Sequence, residues 1–350
     1  MSMRIFQALV LGGLMLMPVR AAADPAQIAQ GFAHDFIIPR FQAVAVAAHE
    51  QAGAWSSFCA DRAHGDPQKL RQAFNGLGDV WAKVEFMHIG PASVALRFER
   101  FNWWLDRTNA TGKALDAMLT MPDPESLTPE KLAMGSVAGQ GLPIIEHLLY
   151  EQDALSRLKD KDGAVRCTVG AAVARGQAAI ADTIINDWTA PNGANAALVA
   201  NTRWEMAFAD AQEAASVMLT DLAAGLETLK DLKVAMAYHD EMNPKAPRLA
   251  EGVPSGRTLR DVSLNLAAIR EGLAAFLHDA PVADKYRLDA AFDDAGASLA
   301  ALEHPHGHEK ERRESVQIAL GAFSALRDTA MAVLPEATGL TLGFNNLDGD

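Results

Sequence analysis

The sequence predicts an all-α protein built from two helical bundles. Apolar residues recur three and four positions apart, as on one face of an amphipathic helix, and no segment shows the sustained alternation of a half-buried strand. Alanine-rich stretches fit long helices over 164–188, 282–302 and 309–333. The chain of 350 residues exceeds the size at which one hydrophobic core usually stops growing, so we expect two domains.

Three apolar stripes at this spacing mark individual helices. The first consists of Leu70, Phe74, Leu77, Trp81, Val84 and His88. The second consists of Leu259, Val262, Leu266, Ile269, Leu273 and Phe276. The third consists of Phe208, Ala211, Ala215, Met218, Leu222, Leu226 and Leu229. Asp66 is placed to cap the first helix and Gly90 with Pro91 to end it, while Thr258 and Asp261 form a candidate capping box for the second.

Residues 1–23 have the features of a cleavable export signal. Arg4 precedes an apolar run over 9–19, and three consecutive alanines precede Asp24 as a small-residue cleavage site. The run is too short to cross a bilayer, and no later stretch approaches the roughly 20 consecutive apolar residues that a membrane helix requires. The sequence therefore predicts a soluble mature protein without a membrane span, located in the periplasm of a diderm bacterium.

Breaker residues divide the chain after the signal. Proline, glycine and asparagine cluster at 121–129, 189–195 and 243–256. The second cluster, which includes Pro191, lies almost midway through the mature chain. We therefore predict an N-terminal bundle over 24–190 and a C-terminal bundle over 191–350.

The overall charge is acidic. The chain has 31 Lys and Arg against 44 Asp and Glu, a net charge of −13 at neutral pH. Nucleic acids bind mainly through Lys and Arg that neutralise phosphates, so a nucleic-acid partner is not expected. An acidic surface suits a cation, although many soluble proteins carry such a surface without binding one.

The two cysteines are Cys59 and Cys167. In an oxidising compartment they are expected to form a disulfide. It would close a loop of roughly 100 residues and contribute up to about 4–5 kcal/mol in the chain-entropy model. Two separate buried thiols are the alternative.

The most unusual local sequence lies over 139–153, where a glycine-rich approach leads into an apolar helix. Pro143 is tolerated only near a first turn, so the helix is expected to begin about there. Glu146, His147 and Tyr150 share the face opposite the apolar residues. An ordinary amphipathic first turn, with its acid favoured by the helix dipole, explains the same spacing.

The string Gly-Leu-Pro-Ile-Ile-Glu-His-Leu-Leu-Tyr over 141–150 resembles the signature of the imelysin-like proteins, also classified as the M75 peptidase family. Other segments resemble the family in the same order: the helix with Trp81 and Glu85, the Trp-containing segment 100–119, the helix start at 255–261 and the ending 343–350. Cys59 and Cys167 fall where such proteins often carry cysteines. The resemblance covers nearly all of the mature chain.

The resemblance implies an exported, two-domain, all-helical protein linked to bacterial iron acquisition, with a functional site at a Gly-x-His-x-x-Glu motif. Gly141 and Glu146 match this motif, but Pro143 replaces the histidine. Proline offers no lone pair to a metal, so the family's His and Glu ligand pair cannot form. His147 is the candidate substitute, although adjacent helix residues point about 100° apart.

The peptidase activity that the family name implies has little support in the sequence. It contains no His-Glu-x-x-His string, no Gly-x-Ser-x-Gly elbow and no phosphate loop. A catalytic zinc normally takes three protein ligands and a water, which local spacing does not supply. We expect binding without turnover. The alternative is a metal-dependent M75 peptidase with ligands from distant segments, for which Glu146, His147 and Glu85 are candidates.

A second metal candidate is a loop in which His304, His306 and His308 alternate with a proline and a glycine. Alternate residues of an extended loop point the same way, and imidazole suits transition metals. A solvated turn between two helices explains the same string.

Together these patterns predict a periplasmic accessory protein of iron acquisition. Its ligand is expected to be iron, another divalent metal or an iron-bearing molecule, and a membrane transporter component is a candidate partner. The site is expected near the start of the Pro143 helix, with Glu146 and Glu85 as acceptors and Arg257 or Arg107 as charge partners.

Overall fold

The computed structural model describes residues 24–121, 123–238, 250–303 and 309–343. Within these ranges there is no β-strand, only an isolated bridge between Trp204 and Phe208. The predicted all-α fold class is confirmed. The predicted export signal, the loop with His304, His306 and His308, and the last seven residues lie outside the described residues.

The helices follow the predicted stripes and alanine-rich segments. They are α1 Pro25–Phe32, α2 Ile38–Ala60, α3 Gln68–Trp81, α4 Arg97–Phe101, α5 Ala110–Thr120, α6 Pro129–Ala133, α7 Gly141–Tyr150, α8 Ala154–Arg157, α9 Gly163–Thr189, α10 Ala194–Ala200, α11 Ala211–Thr228, α12 Ala235–Ala237, α13 Thr258–Phe276, α14 Val282–Glu303 and α15 Glu309–Thr338. Two π-helical segments, Ala33–Ile37 and Leu229–Val234, connect α1 to α2 and α11 to α12.

In the first half of the chain, α2 packs along both α9 and α3. The Trp55 indole of α2 is fully buried against Gly170 of α9, where an added Cβ would lie 2.3 Å from the ring. Glycine therefore allows the two helices to approach closely. A disulfide between Cys59 and Cys167 joins the end of α2 to the start of α9, with Cα atoms 5.6 Å apart, which confirms the predicted pairing.

In the second half, α11 packs against α13, and α14 pairs with α15. Helix α1, although first in the chain, packs against α11 and α13. The buried apolar side chains form one continuous cluster that includes residues from both halves. The division into bundles at 190 and 191 stays a prediction.

Helix α15 is the one described helix that is long and apolar enough, by length and composition, to cross a membrane. It places Val316, Phe323 and Leu326 in the core, and it carries Arg327 near its middle. A core helix of a soluble protein meets the same criterion.

One predicted helix end and one predicted capping box are wrong, and both concern the site. Helix α3 ends at Trp81 rather than near Gly90, and the turns that follow bury Glu85 but leave His88 exposed. The capping box at Thr258 does not form. Its hydroxyl donates instead to the carbonyl of Glu251 at 2.5 Å, and Asp261 pairs with Arg257 at 2.6 Å.

Candidate functional site

A cavity of about 360 Å³ lies between α3, α7, the segment after α4 and the turn 250–257. Its described lining includes five acidic side chains: Glu85, Asp106, Glu146, Glu251 and Asp261. Arg257 is the only Lys or Arg among these lining residues, and Trp81, Trp103 and Trp104 supply aromatic surface. The volume lies within the range of small-molecule sites.

Glu146 reaches this cavity because of how α7 begins. Gly141 has φ of +77°, and a Cβ there would lie 2.3 Å from the Phe101 carbonyl oxygen, so only glycine fits. The helix starts at Gly141, two residues before the expected start at Pro143. Pro143 and Glu146 both line the cavity, and Glu146 is only 9% exposed.

The Glu146 carboxylate is held by a serine and not by a cation. Its Oε1 accepts hydrogen bonds from the Ser255 backbone N–H at 3.1 Å and from the Ser255 hydroxyl. Among the described residues, nothing donates a hydrogen bond to Oε2, and Glu146 forms no ion pair. Burial raises the pKa of the Glu146 carboxyl, while the bonds from Ser255 act in the opposite direction. Glu146 therefore presents an acceptor oxygen to the cavity.

Arg257, in contrast, is fully engaged. Its Nη2 contacts Asp79 at 2.7 Å and Asp261 at 2.6 Å, and its side chain is 5% exposed. A Cβ at Gly78 would lie 2.8 Å from the guanidinium carbon, so this glycine lets the arginine cross α3. Asp79 also binds Arg260, at 2.5 and 2.7 Å. This network ties the start of α13 to α3.

A second buried cluster, centred on Lys233, borders the cavity. Lys233 forms ion pairs with Glu85 and with Glu251, the latter at 2.6 Å, and its side chain is 3% exposed. Asn102 donates a hydrogen bond to Glu251, and Asn265 donates one to Glu85 at 2.8 Å. We refer to these five residues as the Lys233 cluster.

Burial shifts the protonation of the buried acids. It raises the pKa of Glu251 to about 8, an effect to which the neighbouring Glu85 carboxylate adds. It also raises the pKa of Asp261 to about 6, although Arg257 opposes this shift. Burial disfavours the charge of Lys233, yet Glu251 and Glu85 hold its pKa above the ordinary value. Lys233 opposes the shift of Glu251, because its ammonium group favours the charged carboxylate.

The structure brings five of the predicted site residues to one cavity: Glu85, Pro143, Glu146, His147 and Arg257. Gly141 does not line the cavity, but its backbone conformation begins the helix that carries Pro143 and Glu146. Arg107 is the exception. It is exposed in the turn after Asp106 and does not line the cavity, so its role as a charge partner stays a prediction.

The expected metal pair of Glu146 and His147 does not form. His147 Nδ1 contacts Glu151 at 2.7 Å, whereas Glu146 is bound to Ser255. Within the described ranges, no three His, Cys, Asp or Glu side chains are grouped so that they could hold a metal ion. The three histidines of the 304–308 loop lie outside those ranges, so that metal site stays a prediction.

Sequence reasoning missed Lys233, Glu251 and Asn102 as site residues. One signal was present for Lys233, because the apolar stripe through Leu226 and Leu229 reaches position 233 at the next helical step. A lysine on a buried face requires a buried partner. For Glu251, which lies within the breaker cluster 243–256, the sequence held no comparable signal.

Comparison with known proteins now settles the family. A family model described as imelysin, peptidase M75, matches residues 37–333. The chain belongs to the imelysin family. In this imelysin, Pro143 and Glu146 line one edge of the cavity, and Gly141 starts the helix that carries them.

Two solved structures share the fold of this imelysin. An imelysin-like protein from Psychrobacter arcticum 273-4 has a TM-score of 0.74 at 19% identity and covers 93% of this chain and 100% of its own. A putative iron-regulated protein A precursor from Parabacteroides distasonis ATCC 8503 has a TM-score of 0.72 at 15% identity and covers 92% and 97%. The sequence matches none of the curated proteins.

Proposed function

We propose that this imelysin is a periplasmic binding protein of iron acquisition that holds an iron-bearing ligand in the Glu146 cavity without turning it over. The observation that carries the proposal is the Glu146 carboxylate, which is buried, lines the cavity and leaves one oxygen without a protein partner among the described residues. A buried carboxylate without an ion pair is costly unless a ligand compensates it. The similar fold of a protein named as iron-regulated supports the connection to iron.

A chelated iron fits this cavity better than a bare ion. A bare ion requires several protein ligands at once, and the described residues offer no group of three. A chelated ion brings most of its ligands with it, so one hard carboxylate oxygen can complete its coordination. The indoles of Trp81, Trp103 and Trp104 would then pack against the organic part of the chelate.

The absence of turnover is proposed from the state of the other carboxylates. Hydrolysis by acid and base catalysis needs a carboxylate or imidazole that is free to move a proton. Glu85 and Glu251 are bound to Lys233, and Asp261 is bound to Arg257. Asp106 accepts hydrogen bonds from the backbone N–H groups of Ala110 and Thr111, and the His147 imidazole contacts Glu151. No carboxylate or imidazole of the described lining is therefore free to act with Glu146 as the second acid or base of a hydrolase.

The test is calorimetric titration of the mature chain with ferric nitrilotriacetate, a chelate that leaves coordination positions open to a carboxylate. We expect saturable binding to the wild type. Glu146→Gln keeps an acceptor for Ser255 but removes the charge, and it should weaken binding by about tenfold or more. Glu50→Gln removes an exposed carboxylate from α2, away from the cavity lining, and should leave binding unchanged.

Two results would overturn the proposal. One is an unchanged affinity in Glu146→Gln, or no binding of the ferric chelate at all. The other is proteolysis of a denatured protein substrate that is abolished by a chelator and by Glu146→Gln, which would favour the M75 peptidase alternative.

A further inference from the structure

A second cavity, of about 460 Å³, lies on the opposite side of the Lys233 cluster. Its lining comes from the turns after α3, from α4 and the segment that follows it, and from α11 and α13. Glu85, Asn102, Trp103 and Trp104 line both cavities, so these residues form a shared wall. The proposed function gives this second space no role.

Most of the lining of the second cavity is apolar. Its aliphatic and aromatic side chains are Phe86, Phe98, Trp103, Trp104, Leu105, Val217, Leu232 and Ile269. The His88 imidazole packs against Phe98 with ring centroids 3.9 Å apart and an interplanar angle of 37°. Desolvation by the surrounding protein lowers the pKa of His88, although Glu99 and Glu85 act in the opposite direction. Such a lining suits the apolar body of an organic molecule.

The charges of this lining that remain available to a ligand are negative. Lys233 is already paired with two carboxylates. Glu99 has no ion pair or hydrogen bond among the described residues, and it is not fully buried. Asp221 accepts hydrogen bonds only from the backbone N–H groups of His88 and Ile89, at 2.8 and 2.9 Å, and no described cation pairs with it.

We propose that the second cavity binds an amphipathic organic cation, with its apolar body against the aromatic and aliphatic wall and its ammonium group beside Glu99. Trp103 and Trp104 line this cavity, and the Lys233 ammonium already lies 5.8 Å from the centre of the Trp104 ring. An indole attracts a cation through its ring quadrupole, so Trp103 adds to the preference for a cation. The Glu99 carboxylate would repel an anion, and Lys233 is already paired with two carboxylates. This inference is independent of the iron-bearing ligand proposed for the Glu146 cavity.

The test compares three probes of one shape and different charge, namely phenylhexylammonium, phenylhexanol and phenylhexanoate, in calorimetric titrations of the mature chain. The ammonium probe should bind most tightly, the alcohol about fivefold more weakly, and the carboxylate most weakly. Glu99→Gln should weaken the ammonium probe about fivefold and leave the alcohol unchanged. Glu50→Gln, which removes an exposed carboxylate from α2, should change neither.

Two further variants locate the site. Ala224→Phe adds a ring to a residue of the cavity lining and should abolish binding of the ammonium probe. Glu146→Gln should leave that binding intact, so a failure of the iron proposal is distinguishable from a failure of this one. The inference is overturned if the carboxylate probe binds as tightly as the ammonium probe, if Glu99→Gln has no effect, or if none of the probes binds.

Discussion

The Arg257 network and Glu146 border the same cavity, but they differ in how their buried charges are compensated. Arg257 is bound by two carboxylates and joins the start of α13 to α3. Glu146 is bound only by the backbone and hydroxyl of Ser255. Each charge of the Arg257 network has a partner of opposite charge within the protein. The Glu146 carboxylate has no such partner among the described residues, so a ligand can supply one.

This difference separates structural charges from charges that can serve a ligand. The Lys233 cluster resembles the Arg257 network, because each charged member has a partner. Glu99 and Asp221, on the other side of the shared wall, resemble Glu146. If the distinction holds, removing a paired charge should mainly reduce stability, and removing an unpaired carboxylate should mainly change binding or pH dependence.

The largest effect on stability should come from Lys233→Met. The substitution leaves Glu85 and Glu251 buried without their cation, and breaking such a pair from one side typically costs about 3–5 kcal/mol. Urea unfolding would measure the loss. Glu85→Gln combined with Lys233→Met should recover part of it, since one of the stranded charges is then absent. A loss below about 1 kcal/mol in the single variant would show that Lys233 is not a structural charge.

A smaller loss is expected from Gly78→Ala. The new Cβ would lie 2.8 Å from the Arg257 guanidinium carbon and displace a side chain that is held by Asp79 and Asp261. We expect a cost of about 1–2 kcal/mol. Gly76→Ala is the matched control on the same helix, because a Cβ there has no atom within 4 Å. It should stabilise α3 slightly through helix propensity, and equal behaviour of the two variants would contradict the account.

The helices were predictable from the sequence because their periodicity is long and regular. The alanine-rich segments and the stripes of α11 and α13 match observed helices within a few residues. The end of α3 was not predictable, because Val84 continues the stripe and is buried although the chain has already left the helix. Periodicity records which side chains are buried, and a turn can bury a side chain as well as a helix can.

Only the site residues that belong to a local sequence motif were predictable. Gly141 and Glu146 could be recognised in the sequence, and the structure places Glu146 in the cavity lining and Gly141 at the start of the helix that carries it. Lys233 and Glu251 come from segments far from that motif, and only the folded chain brings them together with Glu85. Arg107, in contrast, does not line the cavity, since a charged residue that was selected from its sequence context need not reach the same cavity.

The pH dependence of the free energy of unfolding tests whether the Asp221 carboxylate lacks a compensating positive charge. Burial raises the pKa of its carboxyl from an ordinary value near 3.8 to about 7. The folded state therefore holds the proton more tightly, so stability from this group is complete below pH 4 and is lost as the pH rises through 7. Asp221→Asn should match the wild type near pH 4 and exceed its stability by about 1 kcal/mol near pH 8, a value reduced by solvent screening. Thermal unfolding at both pH values measures the difference, and a constant difference would contradict this assignment.

The smallest loss of stability should come from Arg260→Gln, which tests whether an exposed ion pair contributes less than a buried one. Arg260 binds the same Asp79 as Arg257 does, but its side chain is 59% exposed, compared with 5% for Arg257. Solvent and salt screen an exposed pair, so we expect a loss of about 0.5 kcal/mol that shrinks further in high salt. Arg257→Gln should cost several times more and depend little on salt, because Asp261 is then left buried without its cation. Equal losses in urea unfolding would mean that burial does not decide which charges hold this fold together.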